Sequence, residues 1–332
     1  MQAVVLAGGL GTRLRPITYT RPKPLVPILN RPLILRVLDM LPPRVDEVFI
    51  ATGYMGDRLS RFFSEQRTGP KVEVVVEDRP LGTGGALKNL EGRIKGTFIV
   101  INGDVVCSLD LAKMVSFHQS RGSFCTIALW EVEDPTPFGM VVTGDRDRIT
   151  RFLEKPRPED VVSRSVNAGT YILEPDVLER MLPDKQTSIE KEIFPHILDK
   201  GLYGFRFGGY WFDGGTLDSY LAIHDALMVA EHGGGLKGRG LRAAPSSQWH
   251  PPYMTGRDCV IGEGSVIGHG VCIGDCVTVG KGCFLSECVV HDRTRVGDGA
   301  RLEHCLVGEN ADIRAGARIP PGTIIGDGMV VC

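Results

Sequence analysis

Along the first two thirds of the chain, short apolar runs alternate with amphipathic stretches. Residues 3–7, AVVLA, are apolar at every position, the mark of a strand buried on both faces. EVFIAT, KVEVVVE and TFIVING read as further strands. Between them LILRVLDML, GDRLSRFFSEQ, GGALKNLEGRI and LAKMVSFHQS read as helices, the first capped by Asn30 with Pro32 in its opening turn. This alternation predicts an α/β fold, Rossmann-like, with a mainly parallel sheet and helices on both faces. Over residues 231–254 the pattern dissolves into glycine, proline and serine, which reads as a linker. Beyond it an aliphatic residue recurs every sixth position at Ile261, Ile267, Ile273, Val279 and Leu285. The series resumes at Val296 and Leu302, and again at Val307, Ile313, Ile319 and Ile325. A six-residue period fits neither a helix nor an alternating strand; it predicts a left-handed parallel β-helix over 255–332, following an α/β domain over 1–230.

In an open parallel sheet, ligands lie outside the carboxyl ends of the strands. That rule puts the loop GGLGTRLR at residues 8–15, and Asp104 after TFIVING, on one rim. The loop lacks the Lys-Ser/Thr of a Walker loop, and Leu14 stands where a dinucleotide loop has its third glycine. What it offers an anion is close backbone approach at its glycines and the cations Arg13, Arg15 and, downstream, Lys23.

Composition narrows the partner class. The 332 residues are 42% hydrophobic and 23% charged, with a net charge of −2 and no basic stripe, which excludes a general nucleic-acid binder and makes any anion site local. No apolar stretch has the length of a membrane span and no leader pattern opens the chain, so the expectation is a cytoplasmic protein without a membrane partner. Nine cysteines without a C-x-x-C pair fit reduced thiols; Cys272, Cys276 and Cys283 read as packing residues of the repeat.

LAGGLGTRLRPIT, RPKPLVPILNRP, PLGTGGAL, INGDV, FLEKP, NAGTYIL, SIEKEIFP and WFDGGT, followed by hexapeptide repeats, resemble the sugar-1-phosphate nucleotidyltransferases, above all the mannose-1-phosphate guanylyltransferase branch. The resemblance implies transfer of a nucleotidyl group from a nucleoside triphosphate to a sugar 1-phosphate, with release of pyrophosphate. It implies Arg13, Lys23, Asp104 and Asp213 as catalytic residues, the two aspartates holding Mg²⁺. Leu6, Ala7, Gly8, Gly9, Gly11, Thr12, Arg13, Lys23, Glu77, Gly82 and Thr83 would bind the nucleotide, and Gly139, Glu154, Lys155, Asn167 and Thr170 the sugar phosphate. SIEKEIFP reads as a capped, supporting helix in which Glu190 has no catalytic role.

Glu77 stands where uridylyl and thymidylyl relatives commonly carry glutamine, and an acceptor-only carboxylate suits the N1–H and amino group of guanine, which favours GTP. GTGGAL departs from the GTAGPL common among guanylyl enzymes, so heptose-1-phosphate and glucose-1-phosphate enzymes stay open. A bifunctional acyltransferase using His269, His291 or His304, and a non-catalytic regulatory subunit, are the alternatives from other classes. The apolar end of the repeat, IIGDGMVVC, predicts a homo-oligomer formed through the β-helix.

Overall fold

The computed structural model describes residues 1–66 and 69–332, which form two compact units. One comprises Met1–Gly9 and Ile34–Trp211; the other comprises Leu10–Leu33 and Phe212–Cys332.

The first unit is built on a mixed sheet. Its parallel half consists of β1 (Gln2–Leu6), β2 (Glu47–Thr52), β3 (Lys71–Val76) and β4 (Phe98–Asn102), linked by α1 (Leu33–Asp39), α2 (Gly56–Glu65) and α3 (Gly82–Lys88). After α4 (Leu111–Arg121) come β5 (Cys125–Glu131), β6 (Gly139–Thr143), β7 (Ile149–Glu154), β8 (Ser165–Leu173) and β9 (Leu202–Arg206). The order is β7-β6-β8-β4-β1-β2-β3, with β5 beside β8 and β9 beside β5. Strands β3-β2-β1-β4 run parallel, as helical crossovers require, while β8 runs antiparallel to β4. Ala3, Val4 and Val5 are wholly buried, which accounts for their unbroken apolar run. Val4, Phe49, Val100, Ile127, Tyr171 and Phe194 share the core.

In the second unit, α5 (Leu217–His232) packs beside a parallel β-helix. Strands pair with those one coil later, Val260 with Thr278 and Val266 with Phe284, along three faces. Every hexad residue from Ile261 to Ile325 points into the core, none more than 5% exposed. Cys283 and Cys272 are buried packing residues as expected, whereas Cys276 is exposed.

Two local expectations are corrected. The expected linker at 231–254 is the end of α5 followed by the opening coil: Gly235–Leu236 pairs with Tyr253–Met254, Arg242–Ala243 with Val260–Ile261, and Gln248–Trp249 with Val266–Ile267. Its glycine content answers to stacking, since a Cβ on Gly238 would lie 1.9 Å from the Gly256 carbonyl oxygen. Asn30 does not cap α1. Pro27–Ile28 and Arg31–Pro32 form a two-residue hairpin whose central residues, Leu29 and Asn30, both take positive φ, the geometry of a tight hairpin turn.

Leu285 is fully buried in the β-helix, and Leu285→Ala is expected to cost about 2–4 kcal/mol of stability, read as a lower urea midpoint at unchanged slope.

Candidate active site

The carboxyl-end rim of the first unit is set by the pairing of β1 with β4. Leu6 lies opposite Asn102, and the Gly103 N–H donates to the Leu6 carbonyl at 2.8 Å. A Cβ on Gly103 would stand 3.0 Å from that oxygen, so glycine keeps the two strand ends close and brings Asp104 onto the rim that Gly8 and Gly9 leave. Ala7 is buried and Leu6 half-buried, while a Cβ on Gly8 or Gly9 would meet no protein atom. Nothing in the fold itself demands glycine at those two positions.

Glu77 follows β3. One of its carboxylate oxygens accepts from the Leu81 N–H at 3.2 Å, and burial raises its pKa against the lowering effect of that bond. Gly82, opening α3, has φ +71°, and a Cβ there would lie 2.6 Å from the Thr187 carbonyl oxygen. Gly84 donates its N–H to the same oxygen at 2.8 Å, and a Cβ on Gly85 would approach the Lys185 oxygen to 2.7 Å. The GTGG glycines therefore let the 185–187 backbone lie against α3. The Thr83 hydroxyl also turns to this segment, donating to Glu190 at 2.7 Å and accepting from the Ile189 N–H at 3.0 Å.

Gly139 at the start of β6 pairs with Glu154 at the end of β7, and Asn167 lies on neighbouring β8. A Cβ on Gly139 would sit 2.8 Å from Glu154 Oε2 and 3.4 Å from Asn167 Cβ, so the three converge. Exposed Lys155 follows with φ +51°, its N–H donating to the Phe138 carbonyl. A bulge in β8 between Asn167 and Tyr171 leaves Asn167 Nδ2 donating to the Tyr171 hydroxyl at 2.8 Å. Tyr171 in turn donates to Glu190 at 3.2 Å, and Ser188 donates to the same carboxylate at 2.8 Å.

Glu190, to which sequence reasoning assigned no chemistry, thus joins Asn167 on β8 to Thr83 on α3. The signal was its place inside a family motif; nothing in the motif revealed which atoms it binds. Thr170, expected against sugar hydroxyls, is fully buried, so its hydroxyl reaches no surface. Burial pushes the Glu154 carboxyl above the usual range, the negative charge of Glu190 adds to this, and Lys155 and Lys191 offset it only in part.

In the second unit, Gly11 has φ +61° and opens a short turn, Thr12–Leu14, pinned by buried Leu14. Arg13 and Thr12 remain exposed. A Cβ on Gly215 would lie 2.5 Å from Arg13 Nη2 and 2.9 Å from Asp213 Oδ1. Lys23 is buried, with Nζ 4.0 Å from the same aspartate oxygen. Arg13, Lys23 and Asp213, far apart in sequence, are therefore one cluster, whereas Arg15 lies over the Tyr19 ring.

The histidines weighed for acyl transfer are engaged elsewhere. His291 is buried against the Tyr220 hydroxyl, its pKa pushed down to about 3 by burial. His304 bridges Asp218 and Glu287, and His269 pairs with Asp225.

Residues 2–229 match the nucleotidyl transferase family. The chain belongs to that family. Residues 249–332 match the GMPPB C-terminal domain. The nucleotidyl transferase is 36% identical to the probable mannose-1-phosphate guanylyltransferase 1 of Oryza sativa subsp. japonica, across 100% of this chain and 92% of that one. It is 34% identical to the mannose-1-phosphate guanylyltransferase of Mycobacterium tuberculosis, across 89% of this chain and 81% of that one. The crystal structure of HddC from Yersinia pseudotuberculosis complexed with GMP-PN is similar, with TM-score 0.57 and 32% identity, covering 67% of this chain and 97% of that one.

Nucleotidyl transferases of this family generally use a divalent metal. Asp104 in the first unit and Asp213 in the second are each a hard oxygen donor of the kind such an ion takes, and each is partly exposed, although Oδ1 of Asp213 is itself enclosed beside Lys23.

Two outcomes test this geometry. Gly82→Ala combines a positive φ with a clash against backbone, and should lower stability by at least about 1–2 kcal/mol in a denaturant titration. Because the Glu154 carboxyl is raised in the folded state, its favourable contribution is present at acid pH and lost as pH rises through its folded pKa. Glu154→Gln should therefore melt higher than wild type at neutral pH, and the difference should vanish as pH falls below the ordinary carboxylate range.

Proposed function

We propose that this nucleotidyl transferase forms GDP-mannose and pyrophosphate from GTP and mannose 1-phosphate. A phosphate oxygen of the sugar 1-phosphate attacks the α-phosphorus of GTP; the new P–O bond forms as the bond to the β-phosphate oxygen breaks, and pyrophosphate leaves with that electron pair. The nucleophile is already an anion near neutral pH, so no general base is required. What the reaction needs is positioning and neutralisation of charge.

The observation that carries this reading is the Arg13–Lys23–Asp213 cluster, two cations beside a carboxylate on a glycine loop. Arg13 and Lys23 meet the triphosphate, with the backbone of Leu6, Ala7, Gly8, Gly9, Gly11 and Thr12 donating to it. Open space at Gly8 and Gly9 supports close approach of a ligand to the backbone. Asp104 and Asp213 hold Mg²⁺, which when bound supplies neutralisation of phosphate charge.

Glu77 reads the guanine edge with the oxygen not held by Leu81, and Gly82 and Thr83 contribute through their backbone. Lys155 holds the sugar phosphate, while Glu154 and Asn167, made accessible by Gly139, read sugar hydroxyls. The relatives named as mannose-1-phosphate guanylyltransferases support the choice of base and sugar. No helix among the described residues is long and apolar enough to cross a membrane, in keeping with a cytoplasmic enzyme. Met329 and Val330, 48% and 56% exposed at the end of the β-helix, support a homo-oligomer formed through it.

Pyrophosphate release across a panel of nucleoside triphosphates and sugar 1-phosphates tests the function: GTP with mannose 1-phosphate should give the highest kcat/KM, and a preference for another pair would overturn the assignment. Asp104→Asn and Asp213→Asn should each lower kcat by about 100-fold or more. Glu77→Gln should move the GTP-to-UTP ratio of kcat/KM toward UTP by about 5- to 100-fold, the worth of one mismatched buried hydrogen bond.

A further inference from the structure

The segment Leu10–Leu33 carries two of the proposed phosphate-binding cations but little regular structure. It consists of three single turns, Thr12–Leu14, Ile17–Tyr19 and Lys23–Leu25, and the hairpin at 27–32. Such a chain does not hold its own conformation against the entropy of disorder, so contacts beyond itself must place Arg13 and Lys23.

Those contacts come from the β-helix. Arg21, two residues before Lys23, directs Nη2 to Asp327 at 2.7 Å and Nη1 to Glu309 at 3.0 Å. The two carboxylates belong to neighbouring coils, and the Glu309 N–H donates to the other oxygen of Asp327 at 2.8 Å. Thr20 donates its hydroxyl to Asp327 as well. The side chains of Arg21, Asp327 and Glu309 are 15%, 14% and 23% exposed, far more enclosed than an ordinary surface ion pair.

The same segment is fastened at further points. Tyr220 donates to the Pro27 carbonyl, and its hydroxyl also meets buried His291. Asn30 donates to the carbonyl of Ile273 at 2.8 Å. Pro16 packs where a Cβ on Gly326 would lie, 3.1 Å from it.

We infer that the last coils of the β-helix are part of the phosphate-binding apparatus, and that Arg21, held by Asp327 and Glu309, is the positioning residue that sets Lys23 and Arg13 for the triphosphate. This rests on the reading of those cations given above, and it extends the role of the repeat beyond assembly. Only Pro22 separates Arg21 from Lys23, so a shift of the Arg21 backbone passes directly to the lysine. A displacement of about 1 Å at a positioned catalytic group costs on the order of 100-fold in rate. Lysine at 21 would keep a charge but lose the fork that spans two coils.

The test pairs turnover with binding of inorganic pyrophosphate, which reports the cation site without reference to base, sugar or catalysis. Arg21→Ala and Asp327→Asn in the full-length protein should each weaken pyrophosphate affinity by about tenfold and lower kcat, while the KM for sugar phosphate stays within about twofold of wild type. Arg21→Lys should recover part of the loss, and the double variant Arg21→Ala/Asp327→Asn should be no worse than either single variant, because both break one interaction. Leu285→Ala is the control for stability: it should melt earlier yet bind pyrophosphate like wild type below its transition. Pyrophosphate affinity within about twofold of wild type in both folded single variants would overturn the inference, as would additive losses in the double variant. If wild type turns over no triphosphate and sugar phosphate pair while Arg21→Ala still weakens pyrophosphate binding, the proposed reaction fails and the inference stands.

Discussion

A lysine withdrawn from water has to be matched by opposite charge or hydrogen bonds. Lys23 is 7% exposed, and Asp213 lies within 4.0 Å of its ammonium group. The two come from opposite ends of the long excursion that builds the first unit, so the pair exists only when the chain has returned. Much of the local design follows from that need. Gly215 leaves room for Arg13 beside the same aspartate, Gly11 takes a conformation that a side chain would strain, and buried Leu14 anchors the turn between them.

The β-helix supplies what this irregular segment lacks. Stacked coils present carboxylates and carbonyls at regular intervals on a stiff core, and Asp327, Glu309 and the Ile273 carbonyl are three such groups used to fasten residues 20–30. Stability of the coils comes from ordinary aliphatic burial, with no residue of the hexad series left in water. The fastening is polar and specific, and the two kinds of interaction divide the labour: apolar packing makes the support rigid, while charged hydrogen bonds choose where the segment attaches.

In the first unit an analogous division separates sheet from site. The strands place Gly139, Glu154 and Asn167 together by register alone. Their polar atoms are then oriented by Tyr171 and Glu190, which also hold the Thr83 hydroxyl. A carboxylate pair kept partly out of water, Glu154 near Glu190, raises the proton affinity of the former; this is a cost in stability that the fold carries at neutral pH.

Much of this was legible without coordinates. The unbroken apolar run of Ala3 to Ala7 reported a doubly buried strand, the six-residue period reported the β-helix residue by residue, and the rim rule put Gly8 and Asp104 on adjacent strand ends. These properties are local: each residue's burial follows from its position in a repeating pattern, and a pattern can be read in order. Partnerships between distant residues cannot. Only the tertiary structure decided that Arg21 is held by Asp327 and Glu309, that Glu190 links Asn167 to Thr83, that Thr170 faces inward, and that the glycine-rich stretch at 231–254 closes a coil in place of joining domains. The physical reason is that periodicity records how far a side chain is from water, whereas a hydrogen bond records which other atom came within 3 Å, and that depends on the path of the whole chain.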